Sequence, residues 1–343
     1  MSSGPYFWID GQLGSALPLP DRGHEFGDGL FETLLLTGGV PRFPGYHERR
    51  LHLGFERLRF AGAAPALLTL VSPALDRAAE FPLAALRLTL SRAAGARGYE
   101  PGNDPGHRSV LRLTALDGDV SERATPASLG VSSIALASQP ALAGIKHLNR
   151  LEQVLAAAER QHMGVDEVVT CDLSGHPVAV SSGNLFIRVG NSLLTPPLHD
   201  CGIAGTRRAL ILDCWAEQAG FNAGEQRFPL DDLESADEVF FCNSLIGVRP
   251  VKAFRKRRWL DYPAADALKE LVLVLKAVSR RSSEDGLLHH SLNEPLNNPT
   301  VADLRMVQTK EGERHYFVRD PIFLSNSSVW SFRCYSFCRC CRR

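Results

Sequence analysis

Lysine is nearly missing from this chain. Of its 38 basic residues only six are lysines, and Lys146 is the only one before residue 252. The surface is charged with arginine instead, so a lone amine stands out. Only an amine can form a Schiff base, and its proton affinity can be tuned by its surroundings. Net charge is missing as well, with 38 basic residues against 38 acidic ones. That balance removes the electrostatic case for nucleic acid or an anionic membrane as the main partner. No apolar run reaches the 18 or so residues of a membrane span, and residues 1–8 (MSSGPYFW) lack the basic and apolar blocks of a secretory signal. A cytoplasmic protein is expected. The phosphate-loop, dinucleotide, zinc-protease and nucleophile-elbow motifs are all absent. Cys171, Cys201, Cys214 and Cys242 are scattered singly and read as reduced thiols. Cys334, Cys338, Cys340 and Cys341 crowd the end with no zinc spacing, so no metal is expected.

What is present suits an α/β (α+β) protein of two domains, since 343 residues with 44% apolar content can build real cores. Residues 1–115 read as a smaller N-terminal domain of strands (Tyr6–Asp10, Leu86–Leu90, Val110–Leu113) and a helix from His47 to Phe60. The polar stretch 116–130, with Pro126 and Gly130, reads as a linker. Residues 131–278 form a larger domain. It holds a strand at Val131–Leu136, a helix after Lys146 with Leu148, Leu151, Val154 and Leu155 on one face, and an antiparallel meander over Glu167–Thr195. A helix near Thr206–Ala219, a strand at Glu238–Cys242 and a closing helix at Ala264–Val278 follow. Beyond residue 278 periodicity and apolar content fade, and 279–343 is expected to be a disordered or loosely packed tail.

Two strings carry a resemblance: Lys146-His-Leu-Asn-Arg-Leu-Glu-Gln-Val154, and Asp21-Arg-Gly-x-x-x-Gly-Asp-Gly-Leu-Phe-Glu-Thr33. From about residue 6 to 276 the chain resembles the aminodeoxychorismate lyases of the fold-type-IV pyridoxal-phosphate enzymes. That family also holds the branched-chain and D-amino-acid aminotransferases. The resemblance implies mixed sheets with flanking helices, a homodimer, and pyridoxal 5'-phosphate in a cleft between the domains. Lys146 is then the residue that binds the cofactor as an imine and moves protons during conversion of 4-amino-4-deoxychorismate to 4-aminobenzoate and pyruvate, a step of folate synthesis.

Further site residues follow from the same resemblance. Arg50, in His47-Glu-Arg-Arg-Leu51, matches the family's phosphate-binding arginine. Cys201-Gly-Ile-Ala-Gly-Thr-Arg-Arg208 matches its glycine loop entering a helix, with Ile203 and Thr206 as phosphate ligands. Asn243 and Ser244 match a second phosphate loop. Arg97, before Gly98-Tyr99, matches a carboxylate-binding arginine, and Tyr99 and Glu32 are candidates for lining the pocket. Unaided, the residues also read as a solvated helix cation (Arg50), an exposed loop residue (Arg97) and strand-end turns (Asn243, Ser244).

One position departs from the pattern. The family places a Glu five residues before the Asn of Asn-Leu-Phe, where it pairs with the pyridine nitrogen. Here Asn184-Leu-Phe186 is preceded at that distance by Ala179. A weaker electron sink follows unless another acid substitutes. The alternatives are a branched-chain or D-amino-acid aminotransferase, which Ala179 fits worse, and a catalytically impaired homologue.

Overall fold

In the computed structural model, residues 4–93, 98–102, 106–118 and 125–271 are described, together with the backbone of 304–308, 314–319 and 332–336. The first sheet has six strands: β1 (Tyr6–Ile9), β2 (Gln12–Leu13), β3 (Gly29–Thr37), β4 (Val40–Pro41), β5 (Leu83–Arg92) and β6 (His107–Ala115). They run in the order β2-β1-β6-β5-β3-β4, with antiparallel neighbours throughout.

The two-residue period of a strand decides which side chains enter the core. Leu30, Leu34 and Leu36 of β3, Leu86, Leu88 and Leu90 of β5, and Leu111 and Leu113 of β6 share one face. A short helix α1 (Arg22–Phe26) leads into β3, and these leucines pack on Leu51 and Phe55 of helix α2 (Pro44–Arg57) and on Leu67, Val71 and Ala78 of helix α3 (Leu67–Ala79). Helix α2 begins three residues before His47, because Pro44 sits in its first turn, where a fixed φ and a missing N–H cost nothing.

The second sheet begins inside the stretch read as linker. Its strands are β7 (Ala127–Leu136), β8 (Glu167–Asp172), β9 (Pro177–Val180), β10 (Asn184–Val189), β11 (Ser192–Thr195), β12 (Asn222–Glu225), β13 (Glu238–Asn243), β14 (Gly247–Phe254) and β15 (Arg257–Arg258). The order β12-β11-β10-β13-β14-β7-β8-β9 corrects the meander expected over Glu167–Thr195. Hairpins β8–β9 and β10–β11 do form, but β10 pairs with β13 rather than β9. The turn at Ser181–Gly183, closed by Val180 N–H to the Gly183 carbonyl at 2.9 Å, redirects the chain before a continuous ladder can form. Both faces of this sheet are covered. Phe186, Phe240 and Val248 face Leu210, Ile211, Trp215 and Leu268. Val169, Leu185, Val239 and Phe241 face Phe228, Leu233 and Trp259.

The helix after Lys146, α4 (Leu151–Met163), packs in the sense opposite to its sequence pattern. Its polar side holds the sheet: Glu159 accepts from the hydroxyls of Ser132 and Ser133, and Glu152 accepts the Ala137 N–H at 2.8 Å. Its apolar side, Leu151, Val154 and Leu155, is left 76%, 59% and 52% exposed.

The closing helix is described over 263–271. Within the stretch expected to be a disordered tail, Leu304–Gln308, Arg314–Arg319 and Phe332–Ser336 pair as an antiparallel three-stranded sheet. The aromatic and β-branched run Tyr316-Phe-Val318 suits such pairing. The rest of the stretch lies outside the described residues. Among the described residues no helix is long and apolar enough to cross a membrane.

Candidate active site

Lys146 lies on a short extended segment pinned from both sides. Towards the first sheet, Phe31 N–H donates to the Lys146 carbonyl at 2.9 Å and Leu148 N–H to the Gly29 carbonyl at 3.0 Å. Towards the second, Gly144 N–H donates to the Gly202 carbonyl at 3.0 Å and Ala204 N–H to the Gly144 carbonyl at 2.9 Å. The lysine is therefore bonded to β3 through its own carbonyl, and Gly144, two residues ahead of it, is bonded to the glycine loop. Neither neighbour can move without moving it.

The amine sits 4.4 Å over the Phe31 ring, and no hydrogen bond or ion pair to its Nζ is found among the described residues. Burial first, then Arg50, Arg150 and Arg87, push its pKa down to about 7 against the opposing pull of Glu32. A large share of the amine is unprotonated near neutrality, which is what a nucleophile or proton carrier needs.

Arg50 is tied to Glu32 through Nε at 2.8 Å and Nη2 at 2.5 Å, and its Nη1 donates to the Ala204 carbonyl at 3.0 Å. His47 shares the same carboxylate at 2.6 Å. Burial works to raise the Glu32 pKa, but the Arg50 charge and the His47 hydrogen bond outweigh it and hold the carboxyl at about 2. Burial also lowers His47. Glu32, read as a pocket-lining candidate, thus spends its oxygens on α2. Its alternation along β3 points it to the helix side, opposite Phe31 and Thr33.

Two cations that sequence reasoning passed over complete the surroundings of Lys146. The Arg87 guanidinium lies 4.1 Å from the centre of the same Phe31 ring, and burial and Arg112 lower its pKa. Arg150 bonds His147 Nε2, yet its own Nε and His147 Nδ1 are buried without a partner. Burial, with Arg150 beside it, takes His147 down to about 4, so the ring is neutral. Three guanidinium groups and one carboxylate therefore act on the Lys146 amine. The period-2 pattern of β5, with Leu86 and Leu88 inward, was the available signal for Arg87.

The glycine loop approaches closely for a stated reason. A Cβ on Gly205 would overlap Asn184 Oδ1, so only glycine lets Asn184 Nδ2 donate to the Ile203 carbonyl at 2.9 Å. Gly205 then caps the helix that starts at buried Thr206 and continues through a wide turn to Gln218. Asn243 Oδ1 accepts the Leu245 and Ile246 N–H groups at 3.0 and 2.8 Å, and the Ser244 hydroxyl donates to the Thr33 carbonyl at 2.8 Å. That loop holds β13 against the first sheet. Tyr99 is 87% exposed, with its ring 5.4 Å from that of Phe26, and Arg97 lies outside the described residues. Ala179 packs with Val178 against Leu136, Leu198 and Cys201, and Thr170 lies opposite it in the ladder, donating its hydroxyl to the Ala179 carbonyl at 3.2 Å. Glu167, the buried acid on the same strand as Thr170, is taken by the hydroxyls of Ser181 and Ser182.

Pyridoxal 5'-phosphate requires an amine able to shed its proton and donors for a dianion. The residues present fit: a lysine at about 7, an orphaned Arg150 Nε, and a glycine loop opening a helix beside Arg50.

Comparison with known proteins agrees with this arrangement. Residues 29–254 match the family model described as Amino-transferase class IV. The chain is 31% identical over 267 residues to an aminodeoxychorismate lyase of Vibrio harveyi, covering 77% of this chain and 97% of that one. It is similar to the crystal structure of 4-amino-4-deoxychorismate lyase from Pseudomonas aeruginosa, at 33% identity and a TM-score of 0.70, over 78% and 97% of the two chains. A branched-chain amino acid aminotransferase from Escherichia coli shares the fold at 20% identity and a TM-score of 0.70, over 80% and 95%. A buried lysine with a lowered pKa on mixed sheets and a family match over most of the described chain coincide, and the protein belongs to the pyridoxal-phosphate-dependent class IV aminotransferase family.

Proposed function

We propose that the chain is a lyase converting 4-amino-4-deoxychorismate to 4-aminobenzoate and pyruvate. The observation that carries this reading is a lysine amine lowered to about 7 by burial and by Arg50, Arg87 and Arg150, against the pull of Glu32. Such a site favours a substrate with carboxylates over one with a neutral side chain. The bound cofactor supplies an aldehyde that captures amines and a ring that takes up electron density. Lys146 would hold it until the substrate amine takes its place. The freed amine would then remove the proton from the ring carbon bearing the substrate nitrogen; the ring carbon–oxygen bond to the enolpyruvyl group would break, and the proton would go to the enolpyruvyl methylene, so that pyruvate leaves and the ring becomes aromatic. The glycine loop at Ile203–Thr206 and Arg50 hold the phosphate, with the Asn243–Ser244 loop beside them. Arg87 over Phe31 and Arg97 grip the carboxylates, where a planar guanidinium binds both oxygens.

The test is incubation of the purified protein with 4-amino-4-deoxychorismate. Formation of 4-aminobenzoate with matching pyruvate is expected. Rapid glutamate formation from an amino acid and 2-oxoglutarate, without 4-aminobenzoate, rejects the lyase in favour of an aminotransferase.

The same reading includes a cytoplasmic homodimer. Cys171, Cys201 and Cys242 form no disulfide among the described residues, which suits a reducing compartment. The outward stripe Leu151, Val154 and Leu155 is an apolar patch left exposed by the described residues, of the kind that marks an interface. Leu155→Asp is expected to halve the mass seen by light scattering at micromolar concentration. A parent protein that is monomeric and fully active there rejects the dimer.

A further inference from the structure

The face of the first sheet turned away from α2 and α3 carries the Phe31 ring. Lys146 Nζ lies 4.4 Å from its centre and the Arg87 guanidinium carbon 4.1 Å. The strand register extends this group by one residue. Arg87 pairs directly with Arg112 of β6, and the row across the sheet reads Thr33, Arg87, Arg112, Phe7. Alternation puts both arginines on the side opposite Leu86, Leu88, Leu111 and Leu113.

Like charges directly opposite one another destabilise a sheet, because the pairing holds their Cβ atoms about 5 Å apart. After burial, it is the Arg112 charge that depresses Arg87. Nothing on this face relieves the repulsion. The flanking positions along the two strands are Ala85, Thr89, Val110 and Thr114, none of them acidic. Among the described residues neither guanidinium has a hydrogen bond or an ion pair. Arg92 and Arg108, at the other end of the same two strands, are by contrast paired with Asp28 and Asp21. There is also room for a ligand. Phe7, Ile9, Thr89 and Val110 floor a cavity of about 330 Å³ that Leu148, two residues after Lys146, helps to line. It adjoins Phe31 across Thr89 and Arg112 across Phe7.

We infer that Arg112 is a further substrate-binding residue, and that it and Arg87 together hold one carboxylate of the substrate whose amine reaches Lys146. A carboxylate between two guanidinium groups replaces their repulsion with two charge-assisted contacts, which offsets the cost of keeping them adjacent. An amine with a neutral side chain leaves the repulsion in place, so the pair discriminates against it. The identity of the substrate rests on the lyase reading; the carboxylate site does not. Because the pair bears on binding rather than on the proton transfer at Lys146, it separates KM from kcat.

The experiment titrates the holoenzyme calorimetrically with chorismate, which has the same two carboxylates and no amine, and measures KM for 4-amino-4-deoxychorismate alongside. Arg112→Gln is expected to weaken chorismate binding about tenfold or more, the loss of one charged contact, and to raise KM by about the same factor with kcat within about twofold. Arg112→Lys, which keeps the charge without the planar fork, is expected to fall between Arg112→Gln and the parent. Arg257→Gln, which removes an exposed charge from β15, is expected to bind chorismate as the parent does. Since the substitution relieves a like-charge pair, Arg112→Gln is expected to melt no lower than the parent. No binding of chorismate to the parent, or parent-like binding in Arg112→Gln, overturns the inference, as does an equal loss in Arg257→Gln. A melting midpoint lowered by more than about 3 °C in Arg112→Gln overturns it too, because Arg112 then supports the fold rather than the ligand. Weaker chorismate binding in Arg112→Gln, with no 4-aminobenzoate formed by the parent, supports the carboxylate site and rejects the lyase.

Discussion

Lys146→Ala is expected to lower 4-aminobenzoate formation by at least about 10³-fold, because one amine both holds the cofactor and moves the proton, and a positioned proton carrier alone contributes about 10²–10⁴-fold. Residual catalysis comes only from substrate binding and the surrounding cations. The variant is also expected to show no visible imine absorbance and no borohydride-fixed adduct on the peptide containing position 146. The parent has a pH signature of its own. Capture of pyridoxal 5'-phosphate by cofactor-free protein needs the neutral amine, and the amine lies at about 7. The capture rate should therefore climb between about pH 6 and 8 and level off above, where an ordinary lysine would still be climbing at pH 9 to 10. Activity of Lys146→Ala within tenfold of the parent would reject the assignment, as would capture still rising steeply above pH 9.

Lys146 was legible because the composition isolates it: a lone amine in an arginine-covered chain needs no contact map to be noticed. The first sheet was legible for a similar local reason, since Leu30, Leu34 and Leu36 alternate with Phe31, Thr33 and Leu35 and period 2 fixes their sides. Arg87 was hidden by the same abundance that exposed Lys146, being one arginine among many until its strand placed it on Phe31. Helix α4 shows where periodicity runs out. Leu151, Val154 and Leu155 announce an amphipathic helix but not which side meets the body, and here Glu152 and Glu159 do. The meander failed because hairpin signals are local, whereas the pairing of β10 with β13 joins residues 50 or more positions apart. Ala179 was visible as a departure from a pattern. That its neighbours are Val178, Leu136 and Leu198, while Glu167 is committed to two serines, could only come from the packing.

Glu32→Gln is expected to cost stability on the scale of a broken buried ion pair. Arg50 and Glu32 are 8% and 1% exposed, and removing the carboxylate leaves a guanidinium buried next to Lys146 and Arg87 without its counter-charge. Such losses run at about 3–5 kcal/mol. The pKa gives an independent figure. A carboxyl moved from 4.5 down to about 2 corresponds to about 3 kcal/mol. The sign follows from the depressed value: this stability is present above pH 4.5 and is lost as pH falls towards 2, so the parent should soften in that acid window and the variant less so. At neutral pH a fall in melting midpoint of roughly 6–12 °C is expected for a body of this size. Glu80→Gln, which breaks the exposed Arg77–Glu80 pair, serves as the control and should shift it by no more than about 2 °C. The substitution also reaches the chemistry. Glu32 is the group that raises the Lys146 amine, so without it the pH midpoint for cofactor capture should move below 7. A Glu32→Gln protein that melts with the parent and captures cofactor with the same pH midpoint would show that the Glu32–Arg50–His47 cluster neither supports the fold nor tunes the lysine.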